Sequence, residues 1–194
     1  MKYRAVFALT SAVALSACGI NSVPTAEENA KARWADVQNN YQRRADLIPN
    51  LVATVRAAGA QEKDILVQVT QARAAANTIR VSADDLGDPA KLAQFDRAQS
   101  TLGLSLQRLQ EAYPELKSQA NYTTLMSQLE GTENRIVIAR KDYNDAVQTY
   151  NTRIRTFPDS IGAKVFYGAK PMTPFTATTP GAETAPTVNF GNSN

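Results

Sequence analysis

Carboxylates, guanidinium groups and phenols supply the chemistry available to this sequence. Glu130 and Glu133, with Asn134 one turn beyond Glu130, share one face of any helix that holds them. Two carboxylates so placed divide general acid and base work or hold a hard cation. The same spacing also builds a surface ladder of i to i+4 pairs. A hydrolase would need Glu130 or Glu133 in a deep cleft without a basic partner, and Glu133 lies seven residues before Arg140. The carboxylates are therefore read as architecture, with no catalytic residue and no metal. Arg43 and Arg44 are adjacent, and Arg44 keeps register with Val37 and Leu51, so its stem points toward a core. A buried guanidinium needs an acidic partner, and Glu130, Glu133 and Asp142 are the candidates. The competing reading is an anion site of Arg43, Arg44, Arg73 and Arg140 gathered on one solvent face. Tyr41, Tyr113, Tyr122, Tyr143 and Tyr150 stand at helical spacing. Aromatics so spaced fill a core and carry their hydroxyls to its edge.

Composition removes most other chemistry. The chain has no histidine and one cysteine, so His or Cys metal sites, His-based triads and disulfides are excluded. The usual titration near neutral pH is excluded with them. Without Lys2 and Arg4 the chain is close to neutral, which is no electrostatic footprint for nucleic acid. No cofactor is expected.

The single cysteine, Cys18, follows Leu15-Ser16-Ala17 and precedes Gly19. Upstream stand Lys2, Arg4 and a short apolar stretch, Ala5 to Leu15. A basic start, a short apolar run and small residues at the cut describe a secretory signal. The stretch is shorter than the ~20 residues that cross a bilayer. The arrangement is similar to the bacterial lipoprotein signal, in which the thiol is acylated and becomes the new N-terminus. Residues 1–17 are thus expected to be a signal peptide, Cys18 the lipidation site, and 18–25 a tether. Two or more acyl chains make anchoring stable. Gly19, in place of an aspartate, favours the outer membrane in a cell with two membranes.

What remains reads as helices. Tyr122, Leu129, Ile136, Tyr143, Tyr150 and Phe157 recur every seven residues, with Leu125, Thr132, Ala139 and Ala146 between them. This three-four stripe predicts one long last helix, capped by Asn121 and stopped at Pro158. Trp34, Tyr41, Ile48 and Val55, beside Val37 and Leu51, predict a long first helix that Pro49 kinks near Asp46 to Asn50 and Gly59 ends. Ile65, Val69, Ala72, Ala76 and Ile79 predict a second helix. Asp88-Pro89 opens a third that carries Leu92, Phe95, Leu102, Leu106, Leu109 and Tyr113. No stretch alternates with period two for long enough to be a strand. The expected fold is all-α, an antiparallel four-helix bundle over residues 26–167. Residues 168–194, rich in Pro, Thr and Gly, are expected to form a disordered tail.

At these motifs the sequence resembles the LemA family. The matching segments include Arg43-Arg44-Ala45-Asp46-Leu47-Ile48-Pro49-Asn50-Leu51-Val52, Val69-Thr70-Gln71-Ala72-Arg73 and Glu111-Ala112-Tyr113-Pro114-Glu115-Leu116-Lys117. They continue with Leu129-Glu130-Gly131-Thr132-Glu133-Asn134-Arg135-Ile136, Ala139-Arg140, Tyr143-Asn144-Asp145-Ala146-Val147, Tyr150-Asn151 and Phe157-Pro158. The resemblance covers about 34–175. It implies a membrane-attached antiparallel bundle of four helices and no established activity. It also marks Arg43, Arg44, Asp46, Pro49, Asn50, Glu130, Glu133, Asn134, Arg140, Tyr143 and Asn144 as motif positions. Members usually carry an N-terminal transmembrane helix; here a lipobox replaces it, which keeps the membrane attachment. The expected function is a non-enzymatic, lipid-anchored scaffold or adaptor of the cell envelope, facing the periplasm or the cell exterior. Its expected partners are the membrane and envelope proteins. The alternative is a module that binds an anionic polymer or lipid headgroups through its arginines.

Overall fold

The computed structural model describes residues 21–59 and 63–176. Cys18, the expected signal peptide over 1–17 and residues 177–194 lie outside the described residues. Among the described residues the chain is all-helical. It has five α-helices: α1 (Ser22–Ala57), α2 (Lys63–Thr78), α3 (Pro89–Ala112), α4 (Ala120–Arg153) and α5 (Asp159–Val165). Two 3₁₀ turns, Ala83–Gly87 and Pro114–Ser118, join α2 to α3 and α3 to α4.

Helix α1 begins at Ser22, inside the stretch expected to be a tether. The reason is an unbroken three-four stripe that reaches back through Trp34, Ala30 and Ala26 to Val23, all of them buried. Pro24 falls in the first turn, where a missing N–H removes no helical bond. At the other end Gly59 takes a φ of 88°, the left-handed backbone that ends a helix without a Cβ penalty. Helix α3 starts as its sequence signals: the Asp88 carboxylate accepts the Ala90 N–H at 2.9 Å, with Pro89 in the first turn. Helix α4 starts one residue before Asn121, with Gln119 at the cap.

Helices α1 and α4 run antiparallel along most of their length. Trp34 meets Tyr143, Tyr41 meets Arg140, and Arg44 meets Glu133, so position falls on α4 as it rises on α1. The expected heptads fill this seam: Tyr122, Leu129, Ile136, Tyr143 and Tyr150 are all buried, as are Thr132, Ala139 and Ala146. Two expected positions depart: Leu125 is only partly covered, with Met126 buried beside it, and Phe157 is 80% exposed because α4 ends at Arg153 and the stripe ends with it. On α2 the buried face is set by Leu66, Val69 and Ala76, with Ile65 only partly covered. Helix α2 packs on α3. Helix α5 packs against α1, where Ala163 joins the core of Val23, Ala26 and Tyr150.

The tail expected from Gly168 is ordered through Thr176. Met172 and Phe175 are buried in the core beside Trp34. This strap is held by backbone bonds, which is why composition alone misread it. The Thr173 N–H donates to the Leu86 carbonyl at 2.8 Å. Asn151 grips Met172 twice, accepting its N–H at 2.9 Å and donating to its carbonyl at 2.8 Å. Asn144 grips Phe175 in the same way, at 2.8 and 3.0 Å. Tyr150 and Tyr143 donate their hydroxyls to the carbonyls of Lys170 and Thr173, both at 3.0 Å.

Candidate functional site

Three of the motif arginines, Arg44, Arg73 and Arg140, are held by bonds to other helices. Arg44 is 3% exposed. One terminal nitrogen donates to Glu133 at 3.0 Å, and the other to the carbonyl and side-chain oxygen of Gln99, at 3.0 and 2.6 Å. Its guanidinium lies 5.0 Å from the Tyr41 ring centre, and its Nε is buried without a partner. Glu133 is the acidic partner from α4 that the sequence demanded; Glu130 and Asp142 are not. Arg140 does not serve Glu133, as their spacing suggested. It donates to Asp96 on α3 at 2.7 Å and to the Tyr41 hydroxyl at 3.4 Å, and it stacks on Phe175 at 4.3 Å. The Asp96 carboxylate is 5% exposed. Burial pushes the Tyr41 phenol above its ordinary range, against the pull of the Arg140 and Arg44 charges.

Arg73 answers Pro49. A proline has no N–H, so the carbonyl four residues back loses its helical donor. That carbonyl belongs to Ala45, which is buried. Arg73 Nε on α2 donates to it at 2.7 Å. Helix α1 passes through Pro49 without a break. The segment Asp46 to Asn50 is therefore half of a joint whose other half is Arg73. Asp46 itself is exposed and accepts a bond from Gln42 at 2.7 Å; Asn50 and Arg43 are also exposed.

The same residues floor an open groove between α3 and α4. Its larger part encloses about 680 Å³ and is lined by Tyr41, Arg44, Arg140 and Glu133 with Gln99 and Leu104. A second part of about 280 Å³ continues past Arg44 and Glu133 to Glu130, Met126 and Leu129. Glu130 and Glu133 thus share the groove, as their spacing implied, while Asn134 is exposed outside its lining. Leu104 stands exposed on the α3 wall, and Val137 is exposed one turn from Glu133 on α4. Among the described residues no group of three or more acidic side chains is placed to hold a metal ion. None of the described helices is long and apolar enough to cross a membrane.

Burial without a nearby cation pushes the Tyr143 phenol well above its ordinary range, and Tyr150 shifts in the same direction. Both stay donors to the strap, so the repeated Tyr-Asn pair of α4, at 143–144 and 150–151, is a clamp for residues 170–175.

The residues that sequence reasoning missed are Asp96, Gln99 and Asn151. The first two carry a signal. Gln99 stands midway between Phe95 and Leu102, where the α3 stripe calls for an apolar side chain, and Asp96 lies one turn ahead of it. A polar residue at a seam position announces a buried partner. Asn151 repeats Asn144 at seven residues, a signal legible only beside a strap that composition hid.

Two curated relatives, the magnetosome proteins MamQ 2 and MamQ 1 of Paramagnetospirillum magneticum, are each 29% identical to this chain over 161 residues. Each alignment covers 71% of this chain and 58% of the relative, so the chain spans little more than half the length of the proteins it matches. The LemA family model matches residues 33–190, which include both halves of the Pro49–Arg73 joint, the groove and the Tyr-Asn clamp. Its match takes in most of the sequence, and the chain belongs to the LemA family.

Proposed function

We propose that this chain is a lipid-anchored, non-enzymatic scaffold of the bacterial cell envelope, a four-helix bundle that offers its α3–α4 groove to an envelope protein. One observation carries the reading: the two motif arginines on the groove floor, Arg44 and Arg140, are committed to internal partners. Arg44 is bound to Glu133 and Gln99, and Arg140 to Asp96. Side chains held this way make a rigid floor for a partner to rest on. Leu104 then supplies an exposed apolar contact at the rim. The anchor rests on the lipobox at Cys18, and Gly19 favours the outer membrane.

The alternative anion-binding module loses ground in the geometry. Arg44, Arg73 and Arg140 are spent inside the bundle, and Arg43 alone of the four is left free on the surface. The test is a photo-crosslinker at the exposed Gln107 on the groove wall, activated in the native envelope. A discrete protein adduct, lost in Leu104→Asp, is the expected result. Adducts confined to lipid or polysaccharide would overturn the scaffold reading. Mass spectrometry of the extracted protein tests the anchor separately: Cys18 should carry acyl chains, and an unmodified Cys18 in the mature chain refutes it.

A further inference from the structure

Apart from Val137 and Ile138 on α4, the exposed apolar side chains from α4 onward gather around α5. Phe157, Ile161, Val165, Phe166 and Tyr167 lie within one short stretch and are 41–80% exposed. Ile161 and Val165 are one helical turn apart and share the outward face of α5, while Ala163 is buried against α1. Monomeric soluble proteins rarely expose aromatic and branched side chains in such a cluster. Cations frame it. Arg155, Lys164 and Lys170 are exposed, while Arg153 is engaged with Asp159 at 3.5 Å. The acidic groups across the seam are Glu27 and Glu28, and both are tied to Lys31. The patch is therefore apolar at its centre and positive at its rim.

Its place in the fold names the occupant. Helix α5 packs on α1 at the core of Val23 and Ala26, the first turns of the chain's first described helix. Three residues separate Cys18 from Ser22, a span of at most about 14 Å even when extended. A lipid on Cys18 would hold this end of the molecule against the bilayer.

We propose that the α5 patch is a membrane-docking surface. Phe157, Ile161, Val165 and Phe166 enter the acyl-headgroup boundary, and Arg155, Lys164 and Lys170 meet anionic headgroups. This rests on the anchored reading for its geometry and goes beyond it, because it fixes which end of the bundle faces lipid. Amphipathic surfaces of this kind bind an interface through apolar area and attraction to anionic lipid together. A single anchor leaves the bundle free to swing. A second contact would hold it upright, with the α3–α4 groove directed sideways and the end near Gln119 directed away from the membrane.

The test uses the full chain in vesicles of phosphatidylethanolamine and phosphatidylglycerol with part of the acyl chains brominated. Ile161→Cys carries a polarity-sensitive fluorophore, and Gln119→Cys carries the same label at the far end, where Ala120 lies beside Thr54 and Ala57. Peptide masses report the state of Cys18 and the label position. Where Cys18 proves free, the labels are placed in a Cys18→Ser background. The expected result is a blue-shifted, bromine-quenched label at 161 and an unshifted, unquenched label at 119. In the Cys18→Ser background, Phe157→Ser and Phe166→Ser should each weaken vesicle association about tenfold, and high salt should weaken it further. An unquenched label at 161 overturns the proposal, including the case in which a second copy covers the patch and sedimentation finds a dimer. The two readings fail separately. Acylated Cys18 with an unquenched 161 label sinks the docking surface alone. Free Cys18 with a quenched 161 label sinks the anchor alone.

Discussion

Arg44 is more buried than Arg140, yet replacing Arg140 by alanine should do more damage. The difference lies in what each change leaves behind. Arg44→Ala strands no buried charge, because Glu133 is 54% exposed and its carboxylate returns to water. An ion pair with one partner so exposed contributes little by itself. The loss instead comes from Gln99, a buried residue whose side-chain oxygen loses its donor, while its carbonyl, in mid-helix, keeps only its helical bond. Buried unsatisfied groups cost about 1–3 kcal/mol, so Arg44→Ala should cost about 2–3 kcal/mol in all, given partial entry of water. Arg44→Lys should restore part of it, since lysine reaches as a point charge and cannot bridge Glu133 and Gln99 as a planar fork does. Arg140→Ala strands Asp96 inside the bundle without its cation. Breaking a buried pair from one side costs about 3–5 kcal/mol, and loss of the stacked Phe175 contact adds about 0.5–1 kcal/mol. Urea melts of the helical signal, at unchanged slope, give both numbers. The decisive variant is Arg140→Ala with Asp96→Asn, in which the stranded charge is gone. It should recover at least half of the loss. If Arg44→Ala is as costly as Arg140→Ala, or if Asp96→Asn rescues nothing, the argument from the stranded partner is wrong. A stable Arg44→Ala protein that binds anionic vesicles less well would instead favour an anion site.

Other perturbations probe other joints. Arg73→Ala removes the donor to the buried Ala45 carbonyl and should cost about 1–3 kcal/mol; in a Pro49→Ala background the new N–H takes that carbonyl, so the same change should cost about 1 kcal/mol less, and a double-mutant cycle without coupling would refute the joint. Ile136→Ala opens a cavity mid-seam and should cost about 2–5 kcal/mol against a surface control such as Lys141→Ala, read by the denaturant midpoint. Asn151→Ala removes both bonds to Met172 and should make the strap exchange its amide hydrogens faster while α4 keeps its protection; equal loss in both would mean the strap is part of the bundle's cooperative unit. Tyr143 and Tyr150 are raised above the ordinary phenol range, so the native state holds their protons more tightly than the unfolded chain does. That stability is complete below the ordinary phenol range and is lost as pH rises through the native values. Tyrosinate absorbance and helical signal followed together should show these phenols titrating late, with loss of the strap.

The helices were legible in the sequence because burial writes a period into it. Trp34, Tyr41, Ile48 and Val55 face one way wherever a helix puts them, and water selects that face without knowledge of the partner. The same logic announced Glu133 as a candidate for Arg44, since a cation at a seam position must find an anion. Periodicity does not show where a helix ends. Phe157 kept the seven-residue spacing yet is exposed, because α4 had already stopped, and Val23 continued the spacing into a region read as tether.

Partners across the fold were the part that only tertiary structure decided. Asp96 and Arg140 are far apart in sequence, as are Arg73 and the carbonyl freed by Pro49. Each pairing depends on which helices lie side by side, and a one-dimensional pattern holds no such term. The strap makes the same point for backbone. Gly, Pro and Thr from 168 onward cannot bury enough apolar surface to order themselves. Residues 170–175 are ordered nonetheless, because Tyr143, Asn144, Tyr150 and Asn151 offer polar groups at the right spacing on a helix that already exists. The sequence by itself determined the helical faces, the seam and the need for an ion pair at Arg44. The tertiary structure decided which charge meets which, what lies open between α3 and α4, and that residues 170–175 are held down, since those outcomes depend on distances that exist only once the helices have packed.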